Sequence, residues 1–209
     1  MTQPAGSDSS STPQSSARVL LADPDPAWTE QYAQQERLIR AALGPVLRSV
    51  EHSGSTAIPG LPAKPVIDIV LTVADPAHES SYVPPLEAAG YTFAHREPDW
   101  HQHRLLKKGL PHLPYDEERA EPRVNLHVFP AGCVEVTRMA AFRDWLVTNA
   151  DDRQLYADTK RRLAQQSWGT VQDYADAKTE VVSAIMERAL AAQASNREGS
   201  PAPTRTTSG

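Results

Sequence analysis

The stretch VEHSGSTAIPGLPAKPVIDIVLTV, residues 50–73, decides how this chain folds. Its last part, VIDIVLTV at 66–73, is an almost unbroken apolar run, which is typical of a central β-strand with both faces covered. A single carboxylate, Asp68, interrupts this run. An isolated ionised carboxylate is costly in an apolar interior, so Asp68 needs a cation, a donor or a ligand beside it. It is therefore either tied to backbone amides or to Lys64, or it marks a site that binds a cation such as Mg²⁺.

A loop of small residues precedes this strand. Gly54 allows the backbone to approach a ligand closely, and Ser55 and Thr56 offer hydroxyl and amide donors that suit phosphate oxygens. Lys64 adds a cation at the end of the loop. The P-loop spacing GxxxxGK followed by Ser or Thr occurs nowhere in the chain. We therefore predict an anion-binding loop of another kind beside the Asp68 strand.

A later segment, RVNLHVF at 123–129, alternates between polar and apolar residues. The alternation predicts a strand from which Arg123, Asn125 and His127 project on one side. His127 could bind a metal, transfer a proton or donate to an anion, although a lone histidine more often has a structural role. His52, at the end of the first predicted strand, would lie beside the small-residue loop. We take both histidines, together with the strand carboxylate, as candidate catalytic residues.

Another histidine segment is less informative. His101 and His103 are an i, i+2 pair, which on one strand can hold zinc, but no second pair follows at a supporting spacing, so the sequence argues against a zinc site. The neighbouring cations Arg104, Lys107 and Lys108 either offer a basic rim to an anionic substrate or belong to a solvated edge strand.

The C-terminal part repeats the spacing Tyr-x-x-x-Lys, at 156–160 and at 174–178. Residues four apart share a helical face. The repeat either directs both lysines toward a pocket or reflects packed tyrosines next to exposed lysines. We include Lys160 among the candidate substrate-binding residues.

The order of predicted elements is a helix, a mixed sheet and a helical C-terminal third. Asp25 caps the first helix, which ends at Gly44, and a short helix ends at Gly90. The predicted strands cover 46–52, 66–73, 91–96, 103–109 and 123–129. The predicted helices of the last third cover 134–149, 151–166 and 170–193. This order is typical of an α+β protein in which helices pack against a sheet.

Composition limits the classes of function. The 209 residues carry a net charge of −5, which argues against a protein that coats nucleic acid or an anionic membrane. No apolar run approaches the roughly 18 residues of a membrane span. The one cysteine, Cys133, excludes an intramolecular disulfide and fits a reducing compartment. We expect a cytoplasmic protein with no membrane or nucleic-acid partner.

The two ends differ in composition from the rest of the chain. Residues 1–17 and 195–209 are rich in Ser, Thr, Pro and Gln or Ala, which predicts disordered tails, and the first lacks the pattern of a secretory signal. Between them, we predict a single domain over 18–194. Its sheet core covers 18–130, and its helical part covers 131–194.

The stretch VEHSGSTAIPGLPAKPVIDI resembles the signature of the GrpB family. RVNLHVF, FRDWL, YADTKRRLA and YADAK are similar to later blocks of that family, so the resemblance covers about residues 20–190. It implies a fold of the nucleotidyltransferase superfamily, a mixed sheet flanked by helices. Some members are fused to dephospho-coenzyme A kinase, which implies a link to coenzyme A biosynthesis, but the absent P-loop means that kinase activity does not transfer.

The same resemblance suggests roles for individual residues. In active nucleotidyltransferases a Gly-Ser turn holds the nucleotide phosphates, and an h-D-h-D strand with a later carboxylate binds two Mg²⁺ ions. Gly54 and Ser55 match the turn and Asp68 matches one acid, but Val66 stands where the second acid would be. A two-metal mechanism needs oxygen ligands for both ions. The resemblance therefore implies at most one Mg²⁺, bound by Asp68.

These observations leave three hypotheses. The first is metal-dependent nucleotidyl or phosphoryl transfer to a small acceptor. The second is binding of a nucleotide or coenzyme A-related ligand without catalysis, and the third is an interaction protein with a vestigial site. The candidate substrate-binding residues are Gly54, Ser55, Thr56, Lys64, Arg123, Asn125 and Lys160.

Two structural observations distinguish the hypotheses. Transfer requires another carboxylate within metal reach of Asp68, and the third hypothesis predicts that Asp68 and His127 do not converge. The candidates for the second carboxylate are Glu51, Asp116, Glu117, Glu118 and Glu121.

Overall fold

The computed structural model describes residues 19–109 and 122–198. The predicted tail at 1–17 lies outside these ranges, as do residues 199–209 and the four carboxylates proposed within 115–121. The last helix of the structure ends at Glu198, four residues beyond the predicted end of the folded part at 194.

The element order agrees with the predicted helix, sheet and helical third. The elements are α1 (Ala27–Leu43), β1 (Ser49–Ser53), β2 (Ile67–Val73), α2 (Val83–Ala88), β3 (Thr92–Glu97), β4 (His103–Lys108), β5 (Val124–Pro130), α3 (Val134–Thr148), α4 (Ala150–Ala164), α5 (Val171–Asp176) and α6 (Thr179–Glu198). Short 3₁₀ turns lie at Gly44–Val46, Ser55–Ala57 and Glu79–Ser81. The predicted α+β class is confirmed.

The five strands form one mixed sheet in the order β1-β2-β5-β4-β3. β2 and β5 are parallel, and the other neighbours are antiparallel. In this register Asp68 lies opposite Ser53 on β1 and opposite Asn125 on β5. His127 lies opposite Leu105 on β4. The sheet therefore brings the small-residue loop and the polar side of β5 to the same carboxylate.

The two faces of the sheet have different roles. One face packs against α1 and α2 through a buried apolar cluster that includes Ile69 and Leu71. The other face packs against α3 at one end, where Val70 and Phe129 meet Cys133. Since alternate residues of a strand point to opposite faces, Asp68 shares this second face with Val70. Apolar residues cover the first face, whereas part of the second is polar.

α1 ends at Gly44 as predicted, but it starts one residue later than predicted, with Pro26 at the N-cap. The backbone N–H of Ala27 donates to the Asp25 carboxylate at 2.8 Å. Gly44 follows the helix with a φ of 48°, a value that favours glycine.

The helix predicted over 170–193 is two helices, and this prediction was wrong in that respect. α5 starts with a capping box, in which Thr170 and Asp173 each accept a hydrogen bond from the other's backbone N–H. After α5 the helix is interrupted, and the Lys178 ammonium turns back to donate to the Tyr174 carbonyl at 3.0 Å. No proline or glycine occurs within 170–193, so the local sequence does not mark the break.

Candidate functional site

Asp68 is held by side chains from β5. The Asn125 amide donates to Asp68 Oδ1 at 2.9 Å, and His127 Nε2 lies 3.9 Å from the same oxygen. Burial alone would raise the pKa of Asp68, but His127, the Asn125 hydrogen bond and the charge of Lys64 together lower it below its ordinary value. The carboxylate is thus ionised at neutral pH. Asp68 and His127 do converge, which contradicts the hypothesis of a vestigial site.

Gly54 lies directly against this carboxylate. Its φ of 66° and ψ of −167° belong to a region that is open essentially to glycine alone. A Cβ atom here would overlap the Asp68 carboxylate and lie 3.0 Å from its Cγ. The loop can therefore pass this close to Asp68 only because residue 54 has no side chain.

His52 lies on the opposite face of the sheet from Asp68, because it pairs with Ile69 rather than with the carboxylate. Its ring stacks on Tyr32 with the centroids 4.6 Å apart, and its Nε2 shares a 3.0 Å hydrogen bond with the Thr56 hydroxyl. Burial lowers the pKa of His52 to about 4, so the ring is neutral at pH 7. In this position it holds the small-residue loop rather than lining the pocket.

Glu51 does share a face with Asp68, since it pairs with Val70. Its carboxylate, however, lies 3.3 Å from the Arg143 guanidinium of α3, which also donates to the His52 carbonyl at 2.8 Å. Within 19–109 and 122–198, no group of three His, Cys, Asp or Glu ligand atoms forms around Asp68. Among the described residues, Asp68 is thus the one acid at this position, and the four candidate carboxylates within 115–121 lie outside those ranges.

A pocket of about 90 Å³ lies beside Asp68, between the small-residue loop, β2, β5, α4 and the α5–α6 junction. It is lined by Ser55, Thr56, Lys64, Val66, Asp68, Asn125, Tyr156, Lys160, Tyr174 and Lys178. Five of the seven candidate substrate-binding residues are therefore in its wall. Gly54 instead packs against Asp68, and Arg123 lies just before β5, where its carbonyl accepts from the Ile67 N–H at 2.8 Å.

Lys160 is the most buried cation of this pocket, with 3% of its surface exposed. Its ammonium donates to the Pro62 carbonyl and lies 5.2 Å from the centre of the Tyr156 ring. Burial, with added repulsion from Lys178 and Lys64, lowers the pKa of Lys160 to about 7. A substantial share of the molecules thus carries a neutral amine here at physiological pH.

Lys178 reaches the same pocket from the break between α5 and α6. Its ammonium lies 3.7 Å from the centre of the Tyr174 ring. Burial, with added repulsion from Lys64, lowers its pKa to about 8. Both Tyr-x-x-x-Lys repeats therefore direct their lysines toward the pocket, which was one of the two interpretations of that spacing.

The pocket also contains an unsatisfied donor. The Tyr174 hydroxyl is buried and has no hydrogen-bond partner among the described residues. None of the ion pairs in the described part of the chain includes Lys64, Lys160 or Lys178. Buried polar groups are normally paired, so the Tyr174 hydroxyl and the positive charges of the three lysines suit an anion with several acceptor oxygens.

A chain of polar contacts runs from Asp68 across the sheet. His127 Nδ1 and His103 Nε2 are 3.0 Å apart, with the two rings stacked, and His103 Nδ1 lies 2.6 Å from Glu97. His101 lies outside β4, so it does not form with His103 the i, i+2 pair on one strand that could hold zinc. His101 has a φ of 52° in a turn, where its ring packs against Trp100 instead.

Of the two interpretations of the β4 cations, the solvated edge strand is wrong, because β4 lies between β5 and β3. The basic rim would need all three cations on the face of the pocket, and only one of them is there. Arg104 and Lys108 point to the opposite face, where Arg104 pairs with Glu79 at 2.7 Å and Lys108 donates to the Ala89 carbonyl at 3.0 Å. Lys107, by contrast, lies opposite Asn125 in the β4–β5 pairing and so shares the face of the pocket. Alternation along the strand separates cations that are adjacent in sequence.

Residues 18–188 match the model of the family described as GrpB protein. The chain belongs to the GrpB family. It is 47% identical over 175 residues to a UPF0157 protein of Halalkalibacterium halodurans, with 84% of each chain covered. It is 43% identical to a UPF0157 protein of Streptomyces coelicolor, with 84% of this chain and 86% of that protein covered. The resemblance deduced from the sequence blocks is confirmed.

One solved structure of the same family superposes on this chain. The crystal structure of the conserved protein GrpB from Enterococcus faecalis superposes with a TM-score of 0.69 and 26% identity, over 83% of this chain and 99% of that one. The Cid1 poly(U) polymerase superposes with a TM-score of only 0.39 and 10% identity, over 66% and 45%. A superposition as weak as the one with Cid1 indicates neither the substrate nor the activity of this chain.

Some GrpB-like sequences form part of longer enzymes. A dephospho-CoA kinase of Mycolicibacterium paratuberculosis is 34% identical over 177 residues, which are 78% of this chain but 44% of that enzyme. The matched part is thus less than half of the kinase.

None of the helices in the described ranges has the length and apolar character needed to cross a membrane.

Proposed function

We propose that this GrpB-family protein binds a nucleotide or another phosphorylated small molecule in the pocket beside Asp68, and that it does so in the cytoplasm. The observation that supports this most directly is the convergence of Lys64, Lys160 and Lys178 on one small pocket. Asp68 lines the same pocket, but none of the three lysines has a carboxylate of the described residues within ion-pair distance. Three neighbouring ammonium groups repel one another. A bound phosphate would attract all three and so offset that repulsion.

The other lining groups fit the same ligand. The Tyr174 hydroxyl has an unused donor, and Ser55 and Thr56 add hydroxyls at the loop. A volume of about 90 Å³ holds several water molecules or one phosphoryl group, but not a whole nucleotide. The phosphate would therefore enter the pocket while the rest of the ligand stays outside it.

Metal-dependent nucleotidyl or phosphoryl transfer is the second candidate function. Asp68 is an ionised oxygen ligand next to the proposed phosphate position, an arrangement that suits one Mg²⁺ shared by a carboxylate and a substrate phosphate. Such an ion would supply charge neutralisation at the phosphate, and His127 would lie beside it as a proton-transfer group. Binding without turnover ranks first because the described residues bring no second carboxylate to Asp68.

Isothermal calorimetry tests both candidates. The purified protein is titrated with nucleoside triphosphates, with coenzyme A precursors and with inorganic phosphate, each in Mg²⁺ and in chelator. Coenzyme A precursors are included because of the similarity to dephospho-CoA kinases. We expect at least one phosphorylated compound to bind, and Lys160→Met and Lys178→Met to weaken it about tenfold or more.

Arg161→Met is the matched control, because it removes the same charge from the adjacent, exposed position of α4. Binding that needs Mg²⁺ and is lost in Asp68→Asn would support the transfer reaction, and pyrophosphate release would then be assayed. Binding that survives both the removal of Mg²⁺ and Asp68→Asn would support a non-catalytic module. Failure of every compound to bind, or equal losses in Arg161→Met and Lys160→Met, would contradict the proposal.

A further inference from the structure

Three potential metal ligands converge on β3 and β4, away from the lysine pocket. His95 Nε2 lies 3.6 Å from a Glu97 carboxylate oxygen, and His103 Nδ1 lies 2.6 Å from the same oxygen. One ligand atom from each residue lies within 4.8 Å of the other two. The strand pairing explains this, since His95 and Glu97 are two apart on β3 and Glu97 lies opposite His103 on β4.

We propose that His95, Glu97 and His103 form a binding site for a divalent transition-metal ion, with Zn²⁺ as the ion of first choice. The site does not depend on the proposed ligand of the lysine pocket. Two imidazoles and one carboxylate suit Zn²⁺, Co²⁺ or Ni²⁺, whereas Mg²⁺ and Ca²⁺ prefer oxygen ligands alone.

The separations are close to those that coordination requires. Bonds of about 2.0–2.2 Å in a tetrahedron place neighbouring ligand atoms roughly 3.3–3.6 Å apart. Of the two separations from Glu97, 3.6 Å lies at the upper end of this range and 2.6 Å lies below it. The third separation, between the two histidines, is at most 4.8 Å. Side-chain shifts of about 1–1.5 Å therefore accommodate an ion, and such shifts are available because His95 and Glu97 are exposed. The exposed side would leave the fourth position to water.

His103 is fixed in an orientation that suits a ligand. It is 2% exposed, and its ring packs against Trp100 and Phe129 with centroids 5.0 and 4.7 Å away. Its Nε2 shares the 3.0 Å hydrogen bond with His127, which leaves Nδ1 directed at Glu97. A metal-binding histidine usually has such a partner on its second nitrogen, because that partner fixes both tautomer and ring orientation.

Calorimetric titration of Zn²⁺ alone into tag-free, chelator-treated protein tests the site. We expect one Zn²⁺ per chain and at least about a tenfold loss of affinity in His95→Ala and in Glu97→Gln. Both substitutions are at exposed positions, so the fold is retained, which thermal unfolding verifies. Absorption of the Co²⁺-loaded protein gives a second readout, since its visible bands report the coordination geometry.

His78→Ala is the matched control, because His78 is also exposed but lies before the 3₁₀ turn Glu79–Ser81, outside the cluster. Lys160→Met is expected to leave Zn²⁺ affinity unchanged, which separates failure of this site from failure of the lysine pocket. The proposal is overturned if the wild type binds no Zn²⁺, or if His95→Ala and Glu97→Gln bind it as well as the wild type. An equal loss in His78→Ala would also overturn it.

Discussion

Asp68 and Gly54 depend on each other for their positions. The carboxylate occupies the space that a side chain at residue 54 would need, and the loop can approach it only with the backbone angles of glycine. Asn125 then fixes the carboxylate from the other side at 2.9 Å. This contact joins the loop to β2 and β5 at a single residue.

Gly54→Ala tests this dependence. We expect a lower free energy of unfolding, by about 1–3 kcal/mol for the backbone alone, and a further loss because Asp68 must move. Chemical denaturation measures the change. Gly60→Ala is the control, because Gly60 also has a positive φ, of 78°, but nothing lies within 4 Å of its added Cβ. An equal loss in both variants would mean that the contact with Asp68 contributes nothing.

Lys160 links the stability of the protein to pH. Its pKa is lowered from 10.5 to about 7, so the unfolded chain binds more protons than the folded chain between about pH 7 and pH 10.5. The contribution of this residue to stability therefore rises with pH across that window. The penalty for burying the ammonium is greatest below about pH 7, where Lys160 is charged in both the folded and the unfolded chain.

Lys160→Met removes this penalty. We expect the variant to gain stability relative to the wild type at pH 7, and to gain less at about pH 10, as measured by denaturation at both pH values. Arg161→Met, at the exposed neighbouring position, should show no such difference. A change of the same size at both pH values would show that the ammonium of Lys160 is not the source.

At the scale of elements, α5 is the short helix that carries Tyr174 into the pocket. It has only six residues, so it depends on its capping box and on packing of Tyr174 with Leu163, Val19 and Trp168. Helices this short are marginal without such contacts. Its position therefore controls one wall of the proposed phosphate site.

Thr170→Ala removes the side chain that caps α5. We expect a loss of about 1 kcal/mol that is confined to this helix, together with weaker binding of the phosphorylated ligand. Hydrogen exchange of the α5 amides measures the local opening. Gln172→Ala, on the exposed side of the same helix, is the control and should change neither. Unchanged exchange in Thr170→Ala would contradict the role of the cap.

At the scale of the whole molecule, β2 contributes both to the main apolar core on one face of the sheet and to the polar site on the other. Its apolar face contributes Ile67, Ile69 and Leu71 to the main core, and its other face carries Asp68 and Val70. Leu71→Ala is expected to lower the free energy of unfolding by about 2–5 kcal/mol, because the side chain is fully buried. Denaturation measures this loss.

Leu155→Ala is the matched control for the core substitution, since Leu155 is 47% exposed on α4. We expect a change within about 0.5 kcal/mol. Comparable losses in the two variants would mean that β2 does not form the centre of the core.

Much of the fold follows from local patterns. The apolar run of β2, the alternation of β5 and the caps of α1 predicted their elements, because each pattern reflects burial along a single segment. The same alternation identified Asn125 and His127 as neighbours on one side of β5. The Tyr-x-x-x-Lys repeat was the signal for Tyr156, Tyr174 and Lys178, but on its own it left two interpretations open.

The order of strands in the sheet was decided only by the tertiary structure. That order places β4 beside β5 and so brings His103 to His127, 24 residues later in the chain. The register of β1 on β2 likewise places His52 on the far face from Asp68, because His52 pairs with Ile69. Neither result follows from a local period, because strand order depends on contacts between segments that are far apart in the chain.

The sequence by itself determined the α+β class, the family and the lone carboxylate of β2, since these depend on residue types and local spacing. The tertiary structure alone decided that three lysines share one pocket with that carboxylate and that His95, Glu97 and His103 meet. Such clusters join residues from separate helices and strands, and their distances are set by the packing of those elements.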